Sequence, residues 1–466
     1  MTIISGGEFE ACWKKEVAAS RNETVEAAVK EIIAAVRSEG DAALRRYAAR
    51  FDKSVPANPE VPAAVAKAAW ERLAAEDAEL AAALELAAAH IRRFALEQKK
   101  QFAGFEYEME PGLFTGQRVI PVRRVAVYVP GGRFPLISSA LMGLVPAIAA
   151  GVEEVFLISP PGEDGLPDTR ILAAAHLAGA RRIFALGGAQ AIAALALGTE
   201  TVPRVDLIAG PGNKYVAAAK RLLYGEAGID FVAGPTDVLI ISDAAGTAPP
   251  GPAKQAGTDS GRDPGGADMT AAHSRAVETA ADIIAADMLA QAEHDPEARA
   301  RALVPCRETA ERIAAALERR RASLPAESPA HASLEAGGLI IIYQNQDEAA
   351  VIANTIAPEH LELQTKDAES WLPRLKNYGS LFIGPLSAEV LGDYSAGINH
   401  TLPTSGSARY TGGLSVRHFL KTVTTLRCIP GAGFEAARRA AETIARAEGL
   451  IAHAQSAAAR QGPLST

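Results

Sequence analysis

The sequence predicts an α/β fold with a parallel sheet at its centre, and three observations carry the prediction. Short β-branched apolar segments alternate with helical segments through the middle of the chain. Turns rich in glycine join several strand ends to the next helix. Alanine-rich helical stretches flank the alternation on both sides. Strands separated by helices of this length wind by right-handed crossovers onto one parallel sheet.

From Glu10 to about Gln101 the chain is rich in Ala, Glu, Lys and Arg, with Val25, Val29, Ile32, Ile33 and Val36 at helical spacing. The pattern changes after Val122. Arg124 to Val129 reads as a short strand ending in Pro130-Gly131-Gly132. Helices are then expected near residues 138–150, 169–177, 189–197 and 213–223, with strands at 155–158, 182–185, 206–209, 229–232 and 238–242. This centre reads as Rossmann-like. The G-x-G-x-x-G fingerprint is missing, because Gly187-Gly188-Ala189-Gln190 and Gly210-Pro211-Gly212-Asn213 sit at strand-to-helix turns without completing it. Either turn can host an anion on a helix N-terminus or be a tight turn and nothing more. Residues 244–279 are dominated by Gly, Pro, Ala, Ser and Asp and read as a flexible insertion. Helical character returns at Ala281, followed by a strand at 339–343, a helix through 348–354, a strand at 380–383 and an alanine-rich helix over 433–460.

A chain of 466 residues, 48% of them hydrophobic, is long enough for more than one core. Its 55 acidic and 47 basic residues are spread along the chain and make no basic stripe that would follow a phosphate backbone, so nucleic acid is not expected as a partner. The apolar stretch 140–151 falls short of the roughly 20 residues that span a bilayer. The N-terminal residues lack a charged segment followed by an apolar one, and a cytoplasmic location is expected. Cys12, Cys306 and Cys428 lie far apart and without metal-type spacing, which argues against a disulfide framework.

Several polar constellations can carry chemistry. Gln291 and His294 lie three apart on an expected helix and share a face, either as ligands of one metal or as a solvated polar face. Glu359 and His360 follow Pro358, which biases the chain away from helix. Such a pair can divide two base roles, Glu activating water and His taking the proton of an alcohol, or else it starts an exposed helix. Gly392 to His400 is a glycine-punctuated loop carrying Asp393 and His400, suited to close ligand contact or to a capped turn. Glu448 and His453 fall on the last helix, not quite on one face, and read alone as solvated.

Taken together, these stretches resemble the histidinol dehydrogenase family. The matching segments are Tyr128-Val-Pro-Gly-Gly, Gly187-Gly-Ala-Gln-Ala-Ile-Ala-Ala-Leu, Gly210-Pro-Gly-Asn, Ala233-Gly-Pro-Thr, Asp287-Met-Leu-Ala-Gln-Ala-Glu-His, Ala357-Pro-Glu-His-Leu-Glu, and Gly392-Asp-Tyr through Asn399-His-Thr-Leu-Pro-Thr. The resemblance implies two Rossmann-like domains with parallel sheets, a helical N-terminal arm and a small C-terminal helical tail involved in dimerisation. The expected division is an arm over 1–24, the first part of a discontinuous α/β domain over 25–122, an NAD-binding domain over 123–236, the second part of the discontinuous domain over 237–402, and a dimerisation tail over 403–466. It further implies one zinc ion per subunit on Gln291, His294, Asp393 and His453, the last from the partner subunit of a homodimer with shared active sites. Glu359 and His360 become the acid–base pair, Tyr128, Gln190 and Asn213 the NAD contacts, and Ser138, Thr236, His400 and Glu448 substrate contacts beside the zinc ligands. The implied activity is the two-step oxidation of L-histidinol through L-histidinal to L-histidine, in histidine biosynthesis. Asp237 stands where the family usually has Glu. The stretch Ala408 to Thr422 is similar to paralogues acting on other small diols such as 2,3-dihydroxypropane-1-sulfonate, for which Arg409 and Arg417 are the candidate anion contacts.

Overall fold

The computed structural model describes residues 1–19, 23–131, 135–232, 234–243 and 266–461. Residues 244–265 of the expected insertion lie outside them. In chain order the described strands are β1 (Thr2–Ser5), β2 (Glu60–Val61), β3 (Phe105–Glu110), β4 (Leu113–Pro121), β5 (Arg124–Tyr128), β6 (Glu154–Ser159), β7 (Arg182–Ala185), β8 (Leu207–Ala209), β9 (Gly228–Ile229), β10 (Asp237–Ser242), β11 (Arg299–Val304), β12 (Leu339–Ile342), β13 (His360–Gln364), β14 (Ser380–Ile383) and β15 (Leu420–Cys428).

Two six-stranded sheets repeat one winding pattern. In the first, ordered β2-β7-β6-β5-β8-β9, the chain runs outward from β5 through β6 and β7, then returns to the far side of β5 to lay down β8 and β9, all parallel. The two-residue β2 joins β7 antiparallel at the edge. In the second, ordered β1-β12-β11-β10-β13-β14, the chain runs from β10 through β11 and β12, then crosses back to β13 and β14. A third, antiparallel sheet pairs β15 with β4 and β4 with β3.

Both large sheets are buried on both faces, which is why their strands read as nearly continuous apolar runs. Val125, Val127 and Val129 join one core and Ala126 and Tyr128 the other, following the two-residue period of a strand. The same split places Val238 and Ile240 opposite Leu239 and Ile241 in the second sheet. Each fully buried Ile, Leu or Phe in these layers contributes about 1.5–3 kcal/mol of transfer free energy.

The structure corrects four expectations. Residues 25–122 do not begin the second unit. The helices Glu23–Glu39 and Asp41–Phe51 cover one face of the first sheet, and Ala63–Glu76 and Ala78–Lys100 the other, with Val25, Val29, Ile32 and Val36 packed beside Phe156 and Phe184. The first residues are not all helical arm, since β1 pairs parallel with β12 in register from Thr2↔Leu339 to Ser5↔Ile342 before the helix Gly6–Ala19. Helical structure after the insertion begins at Gly266, not Ala281, in the helix Gly266–Ala292. The tail is not helical throughout, because β15 precedes the helices Ala432–Ala447 and Ile451–Ala458.

One close approach sets the height of the helix that begins at the site. Gly143 of the helix Ile137–Ala150 faces β5, and a Cβ there would lie 2.3 Å from Val127 Cγ1. Gly143→Ala must push helix and strand apart and is expected to lower stability by about 1–3 kcal/mol. A lowered denaturant midpoint at unchanged m-value would show it; an unchanged midpoint would mean the contact relaxes freely.

Candidate active site

A cavity of about 170 Å³ opens where the carboxyl edge of the first sheet meets the amino edge of the second. Ser138, Pro211 and Gly212 reach it from the first sheet's crossovers, and Thr236, Glu359 and His360 from the starts of β10 and β13. In both sheets these are the strands where the winding reverses, and at the carboxyl edge of the first sheet neighbouring connections diverge there and leave a crevice.

Glu359 is fixed by a reciprocal bond between adjacent strands. Its backbone N–H donates to Asp237 Oδ1 at 3.0 Å, while the Asp237 N–H meets Glu359 Oε2 at 3.3 Å and the Thr236 hydroxyl donates to that same oxygen. Arg301 holds the other Asp237 oxygen at 3.3 Å. Burial pushes the Glu359 carboxyl up to about 7, against the pull of His360 and of the Thr236 hydrogen bond. A carboxyl in that range exchanges protons near neutrality, as a base for water must. The alternative of an exposed helix start at Glu359 is excluded, since both residues are buried and β13 begins at His360.

His360 sits between carboxylates. Its Nε2 lies 3.4 Å from Asp393 Oδ1 and its Nδ1 3.9 Å from Glu389 Oε2. Burial alone would lower its pKa, but Asp393, Glu359 and Glu389 together hold it well above the usual histidine range. Neither ring nitrogen has a hydrogen-bond partner among the described residues, so both await a group in the cavity or a small movement of these neighbours. His400 accepts or donates at two fixed points, Nδ1 to the Asp393 carbonyl at 2.8 Å and Nε2 to the Ser139 hydroxyl at 3.0 Å.

The donor set for a metal is partly assembled. His294 Nε2 and Asp393 Oδ2 face each other at 3.8 Å on the cavity wall, a nitrogen and an oxygen of the kind zinc prefers. Gln291 is fully buried behind them. With its amide oriented to satisfy its surroundings, its oxygen accepts from the Asp237 N–H at 3.1 Å and its nitrogen donates to Glu389 Oε1 at 3.1 Å; the Thr236 hydroxyl, 2.7 Å from that oxygen, has one proton to give and turns it either to Gln291 or to Glu359. His294 lies just past the end of the helix Gly266–Ala292 rather than on it, so the two do not share a helix face. The residues present therefore fit zinc at His294 and Asp393, while Gln291 is held by Thr236, Asp237 and Glu389. His453 and Glu448 are exposed on the tail helices and line no part of this cavity within one copy of the chain.

Tyr128, Gln190 and Asn213 occupy the carboxyl edge of the first sheet. Tyr128 ends β5, and its hydroxyl accepts from the Gly188 N–H at 3.2 Å. Gln190 opens the helix Gly188–Leu197 and reaches Asp52 at 3.5 Å, and Asn213 caps the helix Lys214–Leu223 through bonds to the Tyr215 and Val216 amides. The Gly210 turn is pinned from below. It has φ +107°, a Cβ there would meet the Tyr128 carbonyl at 2.2 Å, its carbonyl accepts from Lys220 Nζ at 3.0 Å and its N–H donates to Asp230 Oδ2 at 2.8 Å.

Ser139, Asp52 and Glu389 were not singled out by sequence, and Asp237 only as a departure from the family's usual Glu. Ser139 adjoins a residue that was, but Asp52 and Glu389 sit in unremarkable sequence, with nothing to mark that Glu389 is buried or that Asp52 meets Gln190.

A doubly wound sheet with an open carboxyl edge faces the buried Glu359–His360 pair across the cavity, an arrangement that several chemistries share. Comparison with known proteins narrows it. A family profile described as histidinol dehydrogenase matches residues 15–250 and 269–461. A histidinol dehydrogenase of Thermus thermophilus is 45% identical over 93% of this chain and 94% of its own length, and one of Methylococcus capsulatus 43% identical over 92% and 90%. The crystal structure of histidinol dehydrogenase from Elizabethkingia anophelis superposes with a TM-score of 0.84 at 30% identity, covering 98% of this chain and 97% of that one. The chain belongs to the histidinol dehydrogenase family.

The Lys220–Asp230 ion pair beneath the Gly210 turn is 2% and 0% exposed. Lys220→Met should leave Asp230 buried without its cation and cost about 3–5 kcal/mol in chemical denaturation; a loss under about 1 kcal/mol, the level of an exposed pair, would refute its role as an anchor.

Proposed function

We propose that the chain oxidises L-histidinol through L-histidinal to L-histidine with two NAD reduced per turnover, and that it serves histidine biosynthesis. The observation that carries the reading is the buried Glu359–His360 pair at a cavity between two sheets, in a chain of this family.

Residues 123–236 are the proposed NAD-binding unit, with Tyr128, Gln190 and Asn213 at successive turns of a Rossmann-like winding whose reversal between β5 and β8 supplies the crevice. The proposed zinc ligands are Gln291, His294, Asp393 and, from a second copy of the chain, His453. When bound, zinc supplies a Lewis-acidic anchor that orients the substrate and NAD supplies the hydride acceptor. His360 accepts the alcohol proton, with the Asp393 carboxylate beside its Nε2 stabilising the charged form. Glu359, aimed by Asp237 and Thr236, then takes a proton from the water that attacks the aldehyde while His360 returns its proton to the carbonyl oxygen, and His360, neutral again, receives the hydroxyl proton of the hydrate as its hydride leaves in the second oxidation. Ser138, Thr236 and His400 bracket the substrate, and Glu448 of the second copy faces its ammonium group.

Dimerisation through the tail is supported by apolar side chains left in solvent there and on the adjoining antiparallel sheet, including Phe105, Tyr107, Leu426, Ile444, Leu450 and Ile451. No helix among the described residues is long and apolar enough to cross a membrane. A sulfonated diol finds less support than histidinol. Arg409 is bound to the Thr355 and Gly406 carbonyls, Arg417 is exposed, and the described cavity lining carries carboxylates and imidazoles but neither Lys nor Arg.

The substrate is tested by NADH release from zinc-loaded protein given L-histidinol or 2,3-dihydroxypropane-1-sulfonate; two NADH per histidinol are expected, and turnover of the sulfonate alone would transfer the chemistry to a different alcohol. His360→Asn should lower kcat for the alcohol by about 10²–10⁴-fold, the usual worth of a positioned base. Wild-type turnover by that variant would remove His360 from the mechanism. Because Glu359 acts as the carboxylate and its pKa is raised to about 7, aldehyde oxidation should rise with pH through about 7 and flatten above it. Glu359→Gln should erase that limb and stall the second oxidation, and persistence of the limb would assign it to another group.

A further inference from the structure

Behind the catalytic histidine lies a second cluster of acids that the reaction does not touch. Glu362 is two residues along β13 from His360, on the same face, and is 1% exposed. Its Oε1 accepts the Glu389 N–H at 3.0 Å. Gln364 Nε2 bridges Glu362 Oε2 at 2.8 Å and Asp287 Oδ2 at 2.9 Å. Burial and the nearby Asp287 push Glu362 up to about 8, so it holds its proton near neutrality and can donate it to Asp287, whose own carboxyl burial also raises.

The three elements joined here are those that carry the site, each displaced by one structural period. Asp287 is one helical turn before Gln291, Glu362 one strand repeat after His360, and Glu389 one turn before Asp393 in the helix Glu389–Tyr394. We infer that Glu362, with Asp287, is a positioning residue that clamps the Gly266–Ala292 helix, β13 and the Glu389–Tyr394 helix in the register that brings Gln291, His360 and Asp393 together. The inference rests on the zinc and base assignments proposed above. A clamp of neutral acid, carboxylate and amide suits the task, because two ionised carboxylates at that spacing would repel and an apolar pair would leave the Glu389 N–H unsatisfied in a dry interior.

The test uses the full chain and two readouts: affinity for zinc alone, by competition with a chromophoric chelator, and kcat and KM at saturating zinc. Glu362→Leu removes the clamp and is expected to weaken zinc binding by about 10–100-fold, as loss of partners behind a metal's ligands does, and to lower kcat by about as much while KM for NAD stays put. Glu362→Gln keeps an oxygen for the Glu389 N–H and an N–H for Asp287, and should restore both readouts to within about threefold, less than one kcal/mol. A folded Glu362→Leu with wild-type zinc affinity and kcat would overturn the inference, as would a loss of thermal stability with both readouts intact. If that variant does not fold, Asp287→Ala cuts only the tie to the Gln291 helix; weakened zinc binding is then expected, and unchanged binding overturns the clamp. His294→Ala separates the two failures: should it leave zinc affinity intact, the ligand assignment is wrong, and kcat alone decides whether Glu362 positions His360.

Discussion

Much of the site depends on the parallel pairing of β10 with β13, which puts Val238 opposite His360 and leaves Asp237 and Glu359 as neighbours just before it. Parallel strands offer their first residues unpaired amide groups at the edge, and here each strand satisfies the other's with a carboxylate. That exchange buries two acids side by side, which would be costly if both were ionised and unpartnered. Arg301 and the Asp237–Glu359 backbone bonds meet the demand on Asp237, while Thr236 and His360 meet it on Glu359. The outcome is one carboxyl held for structure and one poised near neutrality for chemistry.

The same winding, used twice, explains why the cavity lies where it does. A sheet whose strands reverse direction of travel has a crevice at its carboxyl edge, and the first sheet leaves that edge open with Tyr128, Gly188 and Gly210 around it. The second sheet presents its amino edge, where Thr236 and Glu359 lead into β10 and β13. One sheet thus supplies backbone amides and helix starts suited to an anionic cofactor, and the other supplies titratable side chains. Asn399 Nδ2, donating to the Met142 carbonyl at 2.7 Å, and His400, on Ser139, are among the ties that hold the two together across the cavity.

How much of this was legible in the sequence depended on how local its cause was. The strands and helices between residues 124 and 242 were readable because each is bounded by a turn and buried on both faces, so composition and period agree. The antiparallel sheet of β3, β4 and β15 was not. Phe105-Glu-Tyr-Glu-Met-Glu alternates and Pro111-Gly112 turns it into β4, a local hairpin signal that went unread inside an alanine- and charge-rich context, while β15, which pairs with the other edge of β4, arrives from the far end of the chain and has no local mark. The assignment of residues 25–122 failed for a related reason: the apolar stripe Val25, Val29, Ile32 and Val36 shows that a helix is covered but not by which sheet. Residue by residue, Glu359 and His360 were visible as a titratable pair after a proline. Glu389 became visible only once tertiary structure had buried it, and Asp52 only once folding had set it beside Gln190.

The position of His360 also bears on why so many acids surround it. In its proposed role His360 takes a proton in each oxidation, so its charged form needs stabilising, and the Asp393 carboxylate 3.4 Å from Nε2 is placed to do that. Asp393 and Glu389 face opposite nitrogens of the ring, so neither tautomer is unaccompanied. Such a cluster is self-repelling unless some members stay neutral. Burial raises Glu389 well above the ordinary carboxyl range and Glu362 to about 8, while contact with His360 and the neighbouring imidazoles holds Asp393 below it against burial. The gradient runs from protonated acids in the interior to an ionised carboxylate at the cavity wall, which places negative charge only where a metal ion or an imidazolium is available to meet it.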